Sequence, residues 1–368
     1  MAPHPPRGRD GTRQPRRRSR VNPSELRKKL LAWFDKAART LPWRDSGPAG
    51  KRDPYHVLVS ELMLQQTQVS RVAERFSRFL SRFPTVEALA SADEHDVLAE
   101  WSGLGYYQRA RRLQGAAIAI AETGGSFPRE ADELRSLPGI GPYTAGAIAS
   151  LAFGAAEPAV DGNVIRVVAR LDGLDDPDRR SLERRVTLRV RGLLDGAKRP
   201  GAFNEALMEL GATVCTPRSP DCAACPWKAA CVANKTGDQD RLPRPTPKAP
   251  KKTLHAATVV VIDENGRLLL ERRPERGLWR GLWQAPTLES PTDVPSTDEI
   301  TDALNVCDLS AVGTFTHETT HRTVRFEVFR GKAIDSTEGR RWVAVHELDA
   351  LAMGSAQRRV LGMAVDGV

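Results

Sequence analysis

Between residues 237 and 254 the chain changes its period, and that change limits what can fold on either side. Upstream, apolar residues recur at helical spacing. Leu26, Leu30, Trp33, Phe34 and Ala37 share a face behind Asn22-Pro23-Ser24, where Ser24 is a fitting N-cap. The pattern returns over 54–69, 70–82, 85–91, 93–101, 107–123, 130–136, 142–153, 163–171, 179–195 and 201–211, punctuated by Pro and Gly. Downstream the period falls to two. AATVVVID, then Glu264-Asn265-Gly266, then RLLLERR reads as a hairpin, because Asn-Gly suits a type I′ turn. Residues 323–330 alternate, 341–345 read as another strand and 355–366 as a helix. The intervening GDQDRLPRPTPKAPKKTL carries four prolines and several cations, as a stiff linker does.

The organisation expected is therefore a multidomain chain. An all-α domain occupies 22–236, a Pro-rich linker 237–254, and an α+β domain 255–368. A length of 368 residues suits two cores better than one. Residues 1–21 hold seven Arg against one Asp and no large apolar residue except Met1 and Val21, so they read as a disordered basic tail, either attracting phosphates loosely or aiding solubility. The net charge of +9 favours a polyanionic partner, nucleic acid first. No run approaches the ~18 apolar residues of a membrane span, and the N-terminus lacks the apolar segment of a signal peptide. A monomer without a membrane partner is expected.

Three stretches carry chemistry. In VLVSELMLQQT at 57–67 a single carboxylate, Glu61, interrupts an apolar helix. Its helical neighbours include Val57, Leu58 and Leu64, so desolvation should lift its pKa towards neutrality. LPGIGPYTAG at 137–146 ends one helix at Leu-Pro and opens another at Pro142. Gly139 and Gly141 between them allow a tight hairpin whose N–H groups meet a phosphate, as in a helix–hairpin–helix. VDGNV at 160–164 puts Asp161 at the start of a helix, as a cap or as a carboxylate facing a developing cation. Separately, Cys215, Cys222, Cys225 and Cys231 have a C-x6-C-x2-C-x5-C spacing. Four such thiolates hold either zinc or an iron–sulfur cluster, in a reducing compartment; the spacing does not choose.

VSELMLQQTQV, GLGYYQRARRL at 103–113, LPGIGPYTAGAI, VDGNVIRV and the cysteine spacing occur together and in this order. In this the chain resembles the MutY family of adenine DNA glycosylases, within the endonuclease III superfamily, from residue 22 to the C-terminus. The resemblance implies two helical lobes with a DNA cleft between them, the first helix returning to the lobe of the cysteines. It implies a [4Fe–4S] cluster, and a substrate of double-stranded DNA with adenine opposite 8-oxoguanine or guanine. It also implies a bacterial cytoplasmic activity at the nucleoid. Glu61 corresponds to the general acid that protonates adenine, and Asp161 to the carboxylate that stabilises the cationic sugar, with Asn163 orienting it. Tyr143 stands where bifunctional relatives carry a Schiff-base lysine, which implies a monofunctional enzyme leaving an abasic site. Arg39, Trp43, Leu64 and Glu205 correspond to the adenine pocket. Gln66, Thr67 and Tyr106 correspond to DNA contacts, Gln66 and Tyr106 as wedges beside the oxidised guanine. Arg109, Arg111 and Arg112 form a basic cluster, read either as phosphate-binding surface or as an ordinary exposed charged helix face.

GLWRGLWQAP at 277–286 and His317-Glu318-Thr319-Thr320-His321 make the C-terminal domain resemble the family's Nudix-like domain, which helps recognise 8-oxoguanine. No Arg-Glu-x-x-Glu-Glu helix occurs in 255–368, so nucleotide hydrolysis there is not expected. Where the family has an aromatic-Ser-His loop, this chain has Thr319, Thr320 and His321: a hydroxyl is kept, the aromatic is lost. Two other readings compete. An endonuclease III-like or thymine-mismatch glycosylase is disfavoured by the Nudix-like domain, and its lyase form by Tyr143. A non-cutting DNA-binding redox module is disfavoured by the two carboxylates.

Overall fold

The computed structural model describes residues 22–45, 52–245, 249–334 and 339–365; the basic tail and part of the linker lie outside them. Twelve α-helices precede the first strand among these residues: α1 (Pro23–Ala37), α2 (Pro54–Leu64), α3 (Val69–Arg82), α4 (Val86–Ala90), α5 (Glu94–Glu100), α6 (Gln108–Glu122), α7 (Ala131–Ser136), α8 (Pro142–Phe153), α9 (Gly162–Asp172), α10 (Arg179–Leu194), α11 (Pro200–Thr213) and α12 (Val232–Thr236). Asn22, rather than Ser24, caps α1: its side chain accepts from the Ser24 N–H at 2.9 Å, and Pro23 fills the first turn. The helix expected over 54–69 stops at Leu64. Its last carbonyls, on Leu62 and Met63, accept from the Arg109 guanidinium, both at 2.8 Å. The chain then passes through Gln66 at φ 54° before α3 begins.

The helices form two lobes. Helices α2–α8 bury Leu58, Leu62, Met63, Phe79, Trp101 and Ile148 in one core. Helix α1 returns to join α9–α11 in the other, where Leu26, Leu30 and Phe203 pack with Trp227. The Trp227 indole N–H donates to the Leu26 carbonyl at 3.0 Å, which pins the first helix to the cysteine loop. Each such large apolar side chain contributes about 1.5–3 kcal/mol when buried. Helix α8 touches both α2 and α11 and so fixes the lobes to one another. Gly211 lets α11 lie against the start of α9, since a Cβ there would sit 2.6 Å from that of Asn163.

The C-terminal part is α+β, as expected. It contains β1 (Lys252–Val261), β2 (Leu268–Arg272), β3 (Trp283–Gln284), β4 (Thr287–Ser290), α13 (Thr297–Leu304), β5 (Val306–Glu318), β6 (Arg322–Ala333), β7 (Arg340–Val343) and α14 (Ser355–Ala364). One sheet has the order β4-β1-β6-β5 and the other β3-β2-β7. The expected β1–β2 hairpin is therefore not a ladder: a single bridge, Ile262–Leu268, joins the two before they part into different sheets. The Asp263 carboxylate organises the turn, accepting from the N–H groups of Asn265 and Arg267. Only Gly266 enters the left-handed region, at φ 71°, whereas a type I′ turn needs two such residues. The unbroken burial of Ala256–Val261 is that of a strand covered on both faces, and β1 pairs in parallel with β6.

The two parts share a core. Leu282 and Ala352 are buried with the first helical lobe, and the hydroxyls of Ser102 and Tyr107 donate to the Met353 carbonyl at 3.2 and 2.8 Å. Among the described residues no helix is long and apolar enough to cross a membrane.

Candidate active site

A cleft of about 600 Å³ opens between the lobes, and Glu61, Tyr143, Asp161, Asn163, Arg39, Trp43, Leu64, Gln66, Thr67 and Glu205 all line it. Glu61 projects from the middle of α2 and is 5% exposed. Among the described residues its carboxylate takes one hydrogen bond, from the Tyr143 hydroxyl at 2.5 Å. Burial pushes the Glu61 carboxyl up to about 7; the Tyr143 bond opposes this, and the charges of Glu205 and Asp161 add to it. The same surroundings hold the Tyr143 phenol well above its ordinary value, so it stays a donor.

Asp161 caps α9, accepting from the Val164 N–H at 2.7 Å and from the Asn163 amide at 2.8 Å. A cap of this kind stabilises a helix by about 1 kcal/mol. Burial nonetheless lifts its carboxyl above the usual aspartate range, against those two donors and the Arg166 charge. Arg166 was not singled out by sequence. It donates to Asn163 Oδ1 at 2.8 Å, to the Gly211 carbonyl at 2.8 Å and to the Cys215 carbonyl at 2.7 Å, so it fixes the amide that holds Asp161.

The same cleft is also lined by paired charges. Arg39 forks onto Glu209 at 2.7 and 2.9 Å, and Arg52 onto Glu205 at 2.8 and 2.6 Å. Arg44 bridges the two acids at 3.2 and 2.9 Å. Burial raises the Glu209 pKa, but the arginine bonds outweigh it and its net direction is down. Sequence reasoning named Arg39 and Glu205 and missed Arg44, Arg52 and Glu209. One signal was present: Glu205 and Glu209 are four apart on the otherwise apolar α11 and so share a face. Trp43 lines the cleft while packing edge-to-face on Phe76, with centroids 5.8 Å apart.

The remaining candidates are not among the residues that line the cleft. Gly139 needs its left-handed φ of 75°, and a Cβ would strike Arg112 at 2.6 Å. Gly141, by contrast, is ordinary extended backbone with open space beside it. Tyr106 is 47% exposed and its hydroxyl meets that of Thr320 at 3.0 Å, joining the helical domain to the exposed β5–β6 turn that carries Thr320 and His321. Thr319 spends its hydroxyl closing that turn on Arg322. The expected basic cluster is corrected. Arg109 is buried and Arg111 is bound to Glu94 and the Arg280 carbonyl, which leaves Arg112 exposed.

Cys215, Cys222, Cys225 and Cys231 line one cavity with Arg170 and Trp227. The Arg170 guanidinium lies 3.4 Å from Cys215 Sγ, and burial pushes the Cys225 thiol up to about 11, with the other three thiols adding to the shift. Four soft thiol donors lining one cavity, with a guanidinium against one of them, fit an anionic metal–thiolate group.

Comparison with known proteins agrees with this geometry. Residues 59–191 match the family described as "HhH-GPD superfamily base excision DNA repair protein", and residues 257–363 match "NUDIX domain". The chain is 36% identical to the adenine DNA glycosylase of Rattus norvegicus, over 91% of this chain and 77% of that protein. It is 46% identical to that of Mycolicibacterium smegmatis, over 55% of this chain and 69% of the relative. A solved thermostable thymine-DNA glycosylase superposes with a TM-score of 0.52 at 27% identity, covering 58% of this chain and 97% of that one. Because the likeness to the rat protein runs through both domains, the chain belongs to the adenine DNA glycosylase family.

Proposed function

We propose that the protein, an adenine DNA glycosylase of base excision repair, hydrolyses the N-glycosidic bond of adenine mispaired with 8-oxoguanine or guanine in double-stranded DNA and does not cut the strand. The observation that carries this reading is Glu61: a buried carboxyl with a pKa of about 7 and one hydroxyl partner, inside a cleft. Adenine must leave the stack to enter, which costs a few kcal/mol and less at a mispair. Protonated Glu61 then gives its proton to a ring nitrogen, so the purine departs neutral. Asp161, held by Asn163 and the Val164 N–H, faces the positive charge that grows on the sugar. Glu61, now ionised, takes a proton from the attacking water.

Tyr143 argues against the lyase variant, since a phenol forms no Schiff base with the sugar. Arg39, Trp43, Leu64 and Glu205 form the adenine side of the cleft, and Thr320 with His321 face the oxidised base. The four cysteines would hold a [4Fe–4S] cluster, which supplies a rigid, charged anchor for the loop between α11 and α12. Purified protein is then brown with about four irons per chain; stoichiometric zinc without iron overturns that assignment. The activity is tested with a duplex bearing adenine opposite 8-oxoguanine. Scission at adenine only after alkali supports the reading. Scission without alkali indicates a lyase, and tight binding without product indicates a non-cutting module.

A further inference from the structure

Arg109 is 5% exposed, and the four hydrogens of its two Nη groups are shared among six oxygens, from the end of α2 with the turn after it and from the segment before α6. Nη1 serves the end of α2 and the turn after it: the carbonyls of Leu62 at 2.8 Å, Met63 at 2.8 Å and Gln65 at 2.5 Å. Nη2 serves the Thr67 hydroxyl and the carbonyls of Leu104 and Gly105, each at 3.0 Å. The guanidinium carbon also lies 5.4 Å from the ring centroids of both Trp101 and Tyr106. Burying a guanidinium is costly, and burial lowers its pKa to about 10. Its Nε–H has no partner among the described residues, so the whole hydrogen-bonding role falls to the two Nη groups.

Both loops are strained at their tips. Gln66 sits at φ 54° and Tyr106 at φ 49°, left-handed conformations that neither residue type favours. Both side chains are exposed, and each residue comes directly after a carbonyl held by Arg109, that of Gln65 or of Gly105. The same guanidinium caps the helix that carries Glu61. We propose that Arg109 is a positioning residue: it holds Gln66 and Tyr106 in one fixed arrangement, as a two-pronged wedge, and ties that wedge to the catalytic helix, so that opening the stack and presenting adenine to Glu61 are one event. This rests on the base-excision reading above. A lysine cannot replace it, because a single ammonium with three donors reaches one loop and not both.

The test uses the full-length protein carrying Glu61→Gln to stop turnover, with and without Arg109→Lys, and a duplex holding 2-aminopurine opposite 8-oxoguanine. Fluorescence of 2-aminopurine rises when the base leaves the stack. Arg109→Lys should cut that gain about tenfold, while affinity for a duplex that already has an abasic site changes by less than about threefold. A residue needed only for folding would lower both together with the melting temperature. A gain retained in full by Arg109→Lys overturns the inference. No gain from the Glu61→Gln parent overturns the excision reading, and the inference with it. If Arg109→Lys does not fold, Thr67→Val decides: it removes one acceptor and should lower the gain by about threefold, whereas an unchanged gain overturns the inference.

Discussion

Glu61 and Glu209 are the same residue type, line the same cleft and are both buried, yet their pKa values move in opposite directions. Glu209 has two arginines bound to it and goes down despite its burial. Glu61 has one phenol, and goes up to about 7. The cleft thus holds acids bound by arginines and one acid that, among the described residues, no cation binds directly, although the charge of Arg52 still tempers it. Burial alone does not make a carboxyl a proton donor; burial without a counter-charge does. The paired charges are useful in their own right, because they bring polar recognition groups into the cleft without leaving free charges beside the reacting base.

The largest break in this comparison comes from removing the proton carrier. Glu61→Gln should slow single-turnover excision by about a thousandfold or more, with DNA affinity within a few-fold of wild type. Tyr143→Phe should slow excision by about tenfold, and it sharpens the comparison through pH. The phenol bond lowers the Glu61 pKa, so its loss raises that value and carries the alkaline limb of the rate profile to higher pH. In the unaltered protein that limb should fall through about pH 7, since the acid form is the active one. Arg44→Met attacks the paired charges. Glu209 and Glu205 each keep one arginine, so the loss should be about 2 kcal/mol of stability, read as a fall of roughly 3 °C in the melting temperature. The smallest effect is expected from Arg112, the exposed member of its cluster. Arg112→Gln should flatten the salt dependence of DNA affinity by about one counterion and leave the pH profile in place.

Most of the candidate cleft and cysteine residues could be picked out because each stands in a short contiguous motif whose local chemistry is unusual: a lone Glu in an apolar helix, a capping Asp, four clustered thiols. The helices were legible too, since they follow a 3.6-residue period, whereas their division into two lobes came only with the family resemblance. What sequence could not give is the fate of arginines. Arg109 and Arg111 sit in a charged stretch that ordinarily faces solvent, but Arg109 takes four of its six acceptors from 42–47 residues away and Arg111 one of its two from 169 residues away. Arg52 meets Glu205 across 153 residues. The β1–β2 hairpin failed for a related reason. The turn is local, but which sheet each strand joins depends on β6 and β7, which come much later. Strand β5 was missed because its residues are mostly exposed or half-exposed and show no clean alternation.

The central claim concerns a proton, so the most direct measurement observes it. With the Glu carboxyl carbons labelled, the Glu61 resonance is assigned by its absence in Glu61→Gln and titrated in a complex with DNA that carries a non-cleavable adenine nucleotide. The account predicts a protonated carboxyl at pH 6 that ionises near pH 7. An ionised Glu61 below about pH 5, in the ordinary glutamate range, in a protein that still releases adenine at full rate, would contradict it.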